Sequence, residues 1–357
     1  MKRLLSLDIL RGFTIMAMIV VNNGVGSKHF EQLTHSEWNG VTCCDLIFPF
    51  FLFMVGVSIT FSLSKQIASP SWQTYGKIIK RTVKLYVLGI LLCGWDMLVR
   101  GDSDILAHIR IPGVLQRIAL CYACASFIVL WARGRRRTIT AAAVVLLVVY
   151  AALLHLGNGY ARDASNLAAV VDKAVFTLDH LYTKSPIDPE GLLGTISGTA
   201  HTLLGVLVGM IIKRGEKMPV KLLRLTAFAL VMIAAGILIH PYQPWNKAVW
   251  SPSYVCYTVG IATLLLTLLT IVVDVVGLRL WNRPFEWFGL NAIALYVGGR
   301  LIASGFRYFH LNATLPQLYA RLPISPEWVS VAYGLTLVFL VGILAYALHK
   351  HKIYIRM

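Results

Sequence analysis

The chain has 357 residues, of which 57% are hydrophobic and only 14% charged, and its mean hydropathy is +0.69. That much apolar surface exceeds what one water-soluble core could hide, so a soluble enzyme is excluded and a bilayer is the implied solvent. The formal net charge of +17 is scattered over short segments without interleaved aromatics, which argues for membrane topology before nucleic-acid binding.

A helix that crosses a bilayer takes about 20 apolar residues. Blocks of that kind are predicted at 7–25, 45–63, 76–95, 113–131, 138–156, 191–212, 223–240, 254–273, 287–303 and 328–348. Joined by short polar turns, they use nearly the whole chain. The expected fold is an all-α polytopic membrane protein, about ten transmembrane helices in one bundle, as a single domain over 1–357. Extracytoplasmic loops are expected at about 26–44, 157–190 and 304–327. The start M-K-R-L-L resembles a signal peptide, but Asp8 and Arg11 interrupt the apolar run that follows, so it reads as a retained first span. With the N-terminus inside, 22 of the 33 Lys and Arg fall on the cytoplasmic side and 10 outside, with Arg117 within the fourth span. By the positive-inside rule both termini are expected in the cytoplasm. A basic inner face attracts anionic lipid headgroups or a phosphorylated cytosolic substrate, and no nucleic acid is expected as a partner.

Ionisable residues inside spans ask for a partner or a water-filled cavity. In the first span, Asp8 and Arg11 are spaced to pair on one helix face, and Arg11 and Asn22 share that face about 16 Å apart. This polar stripe is either a helix–helix seam or the lining of a path. Immediately outside lies L-T-H-S-E-W-N-G (33–40), then D-L-I-F-P-F-F (45–51) at the start of the second span. His35 is the candidate catalytic group, because imidazole moves protons near neutral pH, and Asp45 or Glu37 is available to fix its tautomer. On composition alone, His29, His108, His180 and His310 are equally eligible.

Four of the six cysteines (Cys93, Cys121, Cys124 and Cys256) sit within apolar blocks, where thiols act as small hydrophobes. No ligand spacing suits zinc, and no metal is expected. In R-I-P-G-V-L-Q-R (110–117), Arg110 stands at the outer end of the fourth span and Arg117 a turn or two inside, facing the bundle interior. D-P-E-G-L-L-G-T (188–195) opens a glycine- and threonine-rich sixth span suited to close packing or to a cavity wall. Asn291 is a buried amide, in a seam or a pocket.

Together these motifs resemble the heparan-alpha-glucosaminide N-acetyltransferase family and its bacterial relatives, a branch of the transmembrane acyltransferases. The matching segments are S-L-D-I-L-R-G-F (6–13), V-N-N-G (21–24), H-S-E-W-N-G-V-T-C-C-D-L-I-F-P-F-F-L-F (35–53), R-I-P-G-V-L-Q-R (110–117), D-H-L-Y (179–182), D-P-E-G-L-L-G-T-I (188–196), W-S-P-S-Y-V (250–255) and G-L-N-A-I-A-L-Y-V-G (289–298). The resemblance implies transfer of acetyl from cytosolic acetyl-CoA to an amino sugar or glycan acceptor on the extracytoplasmic side. His35 matches the family's active-site histidine, acting as general base or as acetyl-accepting nucleophile, and Asn22 matches an asparagine near the acetyl group. Asp45 joins them as the orienting carboxylate, and Arg11, Arg110, Arg117 and Asn291 are assigned to acetyl-CoA. The sequence departs from the animal enzymes in carrying Gly299-Arg300 where they have a His-Glu pair. The expected setting is a bacterial inner membrane, in contact with lipids, and a homodimer is compatible with it. The rival reading is a transporter of a small anionic or sugar substrate, but inverted repeats with paired broken helices are not evident in the two halves.

Overall fold

The structure, a computed structural model, describes residues 4–26, 28–183 and 185–355. Lys2, Arg3, Lys184 and Arg356, which enter the charge count above, lie outside the described residues. The helices in chain order are α1 (Leu5–Asn22), α2 (Cys43–Ser62), α3 (Trp72–Arg100), α4 (Ile105–His108), α5 (Val114–Trp131), α6 (Arg136–Leu156) and α7 (Leu167–Phe176). They are followed by α8 (Thr195–Lys213), α9 (Met218–Ile239), α10 (Pro252–Leu269), α11 (Arg283–Leu290), α12 (Ala292–Tyr308), α13 (Leu311–Tyr319) and α14 (Pro326–Lys350). No strand occurs among the described residues. Nine helices there are long and apolar enough to cross a membrane: α1, α2, α3, α5, α6, α8, α9, α10 with its π-helical extension to Val275, and α14. The protein is an integral membrane protein built as an all-α polytopic bundle.

The tenth expected span, 287–303, is displaced. Asn291 has a non-helical backbone and separates α11 from α12, which has 17 residues and carries Arg300 and Arg307. The break has a use: the Asn291 amide donates to Ile353 O (3.0 Å) and accepts from Ile355 N (2.8 Å), holding the segment after α14. Further along α12, Arg300 and Ser304 both bond Asp96 near the end of α3. Helix α12 therefore passes from the break at Asn291 to the Asp96 end of α3, but it is not among the nine helices long and apolar enough to cross.

Asp274 caps the start of α1, its two carboxylate oxygens accepting from Leu5 N (3.1 Å) and Ser6 N (3.2 Å), an anion at a positive helix terminus. With Asn291 holding the segment after α14, the start of α1 and that segment lie at one end of the bundle, the terminal end. The segments joining α1 to α2, α7 to α8 and α9 to α10 lie at the other, the loop end. Helices α2 and α8 form the centre, 78% and 83% buried, whereas α3, α6 and α9 are 11%, 22% and 17% buried and present apolar faces outward. The central pair packs backbone to backbone: a Cβ on Gly56 would run into the Thr202 carbonyl, and one on Gly205 into that of Phe53, the small-residue contact that lets membrane helices approach closely.

Candidate active site

The sequence T-C-C-D starts α2 with a capping box, Thr42 as N-cap and Asp45 at the third position, which satisfies amides that the first helical turn leaves open. Asp45 Oδ2 accepts from Thr42 N (3.2 Å) and Ser36 N (3.0 Å), and the Thr42 hydroxyl donates to Thr34 O (2.6 Å). This folds the loop back over the helix start and leaves Oδ1 facing His35 Nδ1 at 2.8 Å. The Asp45 side chain is 1% exposed and that of His35 54%, so the ring is held from behind and open in front. Asp45 is the carboxylate on the ring, while Glu37 lies further along the cavity wall. Pro49 cannot donate to the Asp45 carbonyl one turn earlier, and the Tyr254 hydroxyl of α10 takes that place at 2.5 Å.

A second loop completes the site. Gly40 N donates to Trp245 O (2.8 Å) and Asn246 Nδ2 to Asn39 Oδ1 (3.1 Å), clamping the α1–α2 loop to the α9–α10 loop. The clamp sets Lys247 Nζ 3.0 Å from His35 Nδ1, 3.4 Å from Nε2 and 3.4 Å from Asp45 Oδ1. Cys44 Sγ lies 3.1 Å from Nδ1. With the Nδ1 proton directed at the carboxylate, Nε2 is the nitrogen able to take up a proton.

Two cavities meet at this ring. One, of about 520 Å³, includes Asp45, Lys247, Arg110, Glu190, Tyr296 and Arg300 in its lining. The other, of about 280 Å³, is lined by His29, Thr34, Glu327 and Ser330 among others. Val21, Asn22, His35 and Cys44 belong to both.

The D-P-E-G segment supplies a wall of the larger cavity and is gripped from three sides. Arg110 donates from Nε to Asp188 (2.9 Å) and from one terminal nitrogen to Asp188 and Glu190 (2.5 Å each). Burial opposes the guanidinium's charge, but the two carboxylates outweigh it and raise its pKa above the usual value. Arg117, almost wholly buried, donates to Gly191 O (2.7 Å) and Pro189 O (3.3 Å). Asp172 of α7, 0% exposed, accepts from Leu192 N at 2.7 Å, and burial pushes its pKa up to about 6.

The seven expected site residues thus fall in two groups. Asn22, His35, Asp45 and Arg110 line one cavity, and Arg117 stands behind its D-P-E-G wall. Arg11 and Asn291 lie toward the terminal end, where Arg11 bonds Asp8 (3.4 Å), Gly289 O (3.4 Å) and Ser58 Oγ (2.9 Å). Lys247 was not singled out by the sequence. Its one signal is position, three residues before W-S-P-S-Y-V. Among the described residues, no group of three or more His, Cys, Asp or Glu side chains is disposed to hold a metal ion.

Residues 3–182 match the family model described as heparan-alpha-glucosaminide N-acetyltransferase, catalytic. Proteins similar to the chain include heparan-alpha-glucosaminide N-acetyltransferase of Homo sapiens, 29% identical over 93% of this chain and 58% of that protein. The Mus musculus protein of the same name is 28% identical over 94% of this chain and 59% of its own length. The chain therefore spans somewhat more than half the length of these relatives. The match includes the α1–α2 segment that carries His35 and Asp45, and on it the chain belongs to the heparan-alpha-glucosaminide N-acetyltransferase catalytic family.

Proposed function

We propose that the protein is a transmembrane acetyltransferase that takes acetyl from acetyl-CoA at the cytoplasmic face and delivers it to an amino sugar or glycan on the extracytoplasmic side. The names of its relatives support the acetyl group and the amino-sugar acceptor. The observation that carries the reading is His35, fixed by Asp45 at the junction of two cavities. A donor in one and an acceptor in the other would share a single proton-transfer group.

That arrangement favours direct transfer over an acetyl-histidine intermediate. His35 Nε2 takes a proton from the acceptor ammonium, freeing its lone pair to attack the thioester carbonyl. The C–N bond forms first, giving a tetrahedral oxyanion; the C–S bond then breaks, CoA leaves as a thiolate that takes the proton from the imidazolium, and the freed imidazole accepts the second N–H proton and passes it to solvent. Asn22 and the Lys247 ammonium stabilise the oxyanion between these events. Arg110 faces the acetyl end of the donor across the larger cavity, and Arg117 keeps the opposite wall in position. Arg11 and Asn291 belong to the end that receives the nucleotide, which is the cytoplasmic end by the distribution of Lys and Arg, in a bacterial inner membrane.

The test is vectorial. Sealed vesicles of the purified protein receive acetyl-labelled CoA on the face bearing both termini and glucosamine on the other, and the label is expected on the amine. Release of label as free acetate alone, or equal turnover with donor on either face, would contradict the reading.

A further inference from the structure

A lateral groove of about 640 Å³ opens on the bundle surface between α1, α2 and α10. Its sides are carbon: Phe13 and Ala17 from α1, Leu46 and Phe50 from α2, Leu264 and Leu268 from α10. On α1 it follows one helix face from Phe13 to Val21, eight residues or about 12 Å, and so runs from mid-membrane to the loop end. Bilayer-facing clefts are ordinary in themselves. This one is continuous with the site: Val20, Val21, Leu33 and Val331 line both the groove and the 280 Å³ cavity. An apolar trough at membrane depth thus leads to a polar chamber that contains His35.

The chamber has the chemistry of a headgroup site. Asn22, Thr34 and Ser330 offer hydrogen-bonding groups, and Glu327 a carboxylate that attracts an ammonium. Its wall is fixed to α14 by the Ser330 hydroxyl, which bonds Val25 N (3.1 Å) and His29 Nδ1 (3.0 Å), and by the Phe30 and Trp328 rings, 5.2 Å apart. Beside the larger cavity, toward the bundle interior, lies a water-sized apolar void of about 10 Å³ that shares Met18, Val114 and Tyr296 with it. Of the two compartments, the smaller is the one that meets the groove along Val20, Leu33 and Val331.

From this continuity we infer that the acceptor is an amphiphile of the outer leaflet, an amino sugar carried on a hydrocarbon chain, whose headgroup occupies the 280 Å³ chamber while its chain lies in the α1–α2–α10 groove. The inference rests on the acetyl-transfer reading for what happens to the amine. The match of lengths supports it: half of a 30 Å hydrocarbon core is about 15 Å, close to the reach of the groove along α1. The donor's acetyl end then occupies the larger cavity, and the two substrates meet at His35 from opposite sides.

Two readouts on the full chain in vesicles test this. Dodecyl glucosaminide carrying a diazirine in its chain is photolysed and the labelled peptides are identified. Labelling is expected within 13–21 and 261–268, and it should be suppressed by unlabelled dodecyl glucosaminide at least tenfold more effectively than by dodecyl glucoside. In parallel, kcat/KM for dodecyl over methyl glucosaminide should exceed tenfold and should fall at least tenfold in Ala17→Phe and in Leu264→Trp, each first shown to keep the wild-type thermal midpoint. Partition into the bilayer alone would leave that ratio unchanged by the substitutions. Headgroup-specific labelling without transfer to either acceptor would uphold the groove and reject the acetyl-transfer reading. Equal suppression by the glucoside, or a ratio insensitive to both substitutions, would overturn the groove while transfer to the soluble acceptor still stood.

Discussion

Asp45 holds His35 Nδ1 at 2.8 Å with one carboxylate oxygen and caps α2 with the other. Ring orientation and helix start thus depend on one side chain, and its two functions separate by substitution. Asp45→Asn keeps an oxygen for the capping amides but removes the charge facing Nδ1. Turnover is expected to fall by 10²–10⁴-fold, as when other histidine bases lose their carboxylate. Asp45→Ala adds loss of the cap, about 1 kcal/mol. Turnover of Asp45→Asn within twofold of wild type would remove Asp45 from the catalytic arrangement.

Lys247 is expected to act in the transition state rather than in folding, because it stands against the ring and the carboxylate at the cavity surface with 15% of its side chain exposed. Lys247→Met should lower kcat by roughly 10²-fold, in the range of losing one oxyanion donor, with KM for acetyl-CoA and the thermal midpoint little changed. Lys247→Arg should recover part of the rate. A large fall in thermal midpoint with kcat intact would make Lys247 a structural residue.

Asp172 gives the protein a pH dependence of unusual sign. Its pKa is raised to about 6, chiefly by burial and further by nearby Asp188, against the lowering pull of Leu192 N, Arg117 and Arg110. Folding thus favours the protonated form. The contribution is fully present below the ordinary carboxylate range and is lost as pH rises through about 6, by at most roughly 3 kcal/mol. Asp172→Asn keeps an oxygen for Leu192 N without the charge, so the thermal midpoint should vary less between pH 4 and 7 and be higher at pH 8. An unchanged slope would assign the effect elsewhere.

Crossings were legible because each must supply about 20 apolar residues. The tenth blurred where side chains do two things at once: Asn291 serves the segment after α14, and Arg300 reaches Asp96 on α3. His35 was legible, but its carboxylate was open between Asp45 and Glu37 until the capping box at the start of α2 set Asp45 against the ring. Lys247 was not, since it lies 212 residues from His35 in sequence and approaches it only through the Gly40–Trp245 and Asn39–Asn246 bonds. Arg110 was legible as a membrane-edge cation, but not as the partner of Asp188 and Glu190, 78 and 80 residues away.

The proposed orientation in the membrane rests on the basic segments at the terminal end. Reporters inserted at Gly134, between α5 and α6, and at Gly159, beyond α6, should read cytoplasmic and extracytoplasmic respectively. The opposite result at both positions would invert the bundle and the direction of transfer.

The most direct measurement is acetyl transfer by His35→Ala in the vectorial vesicle assay, with acetyl-CoA binding measured on the same preparation. In the proposed mechanism the imidazole acts at the acetyl end, and the nucleotide is held toward the terminal end. Transfer should therefore fall by at least 10³-fold with the dissociation constant for acetyl-CoA within about threefold of wild type, since a base and its transition-state contacts are lost together. A folded His35→Ala protein that transfers acetyl at the wild-type rate would contradict the mechanism at its centre.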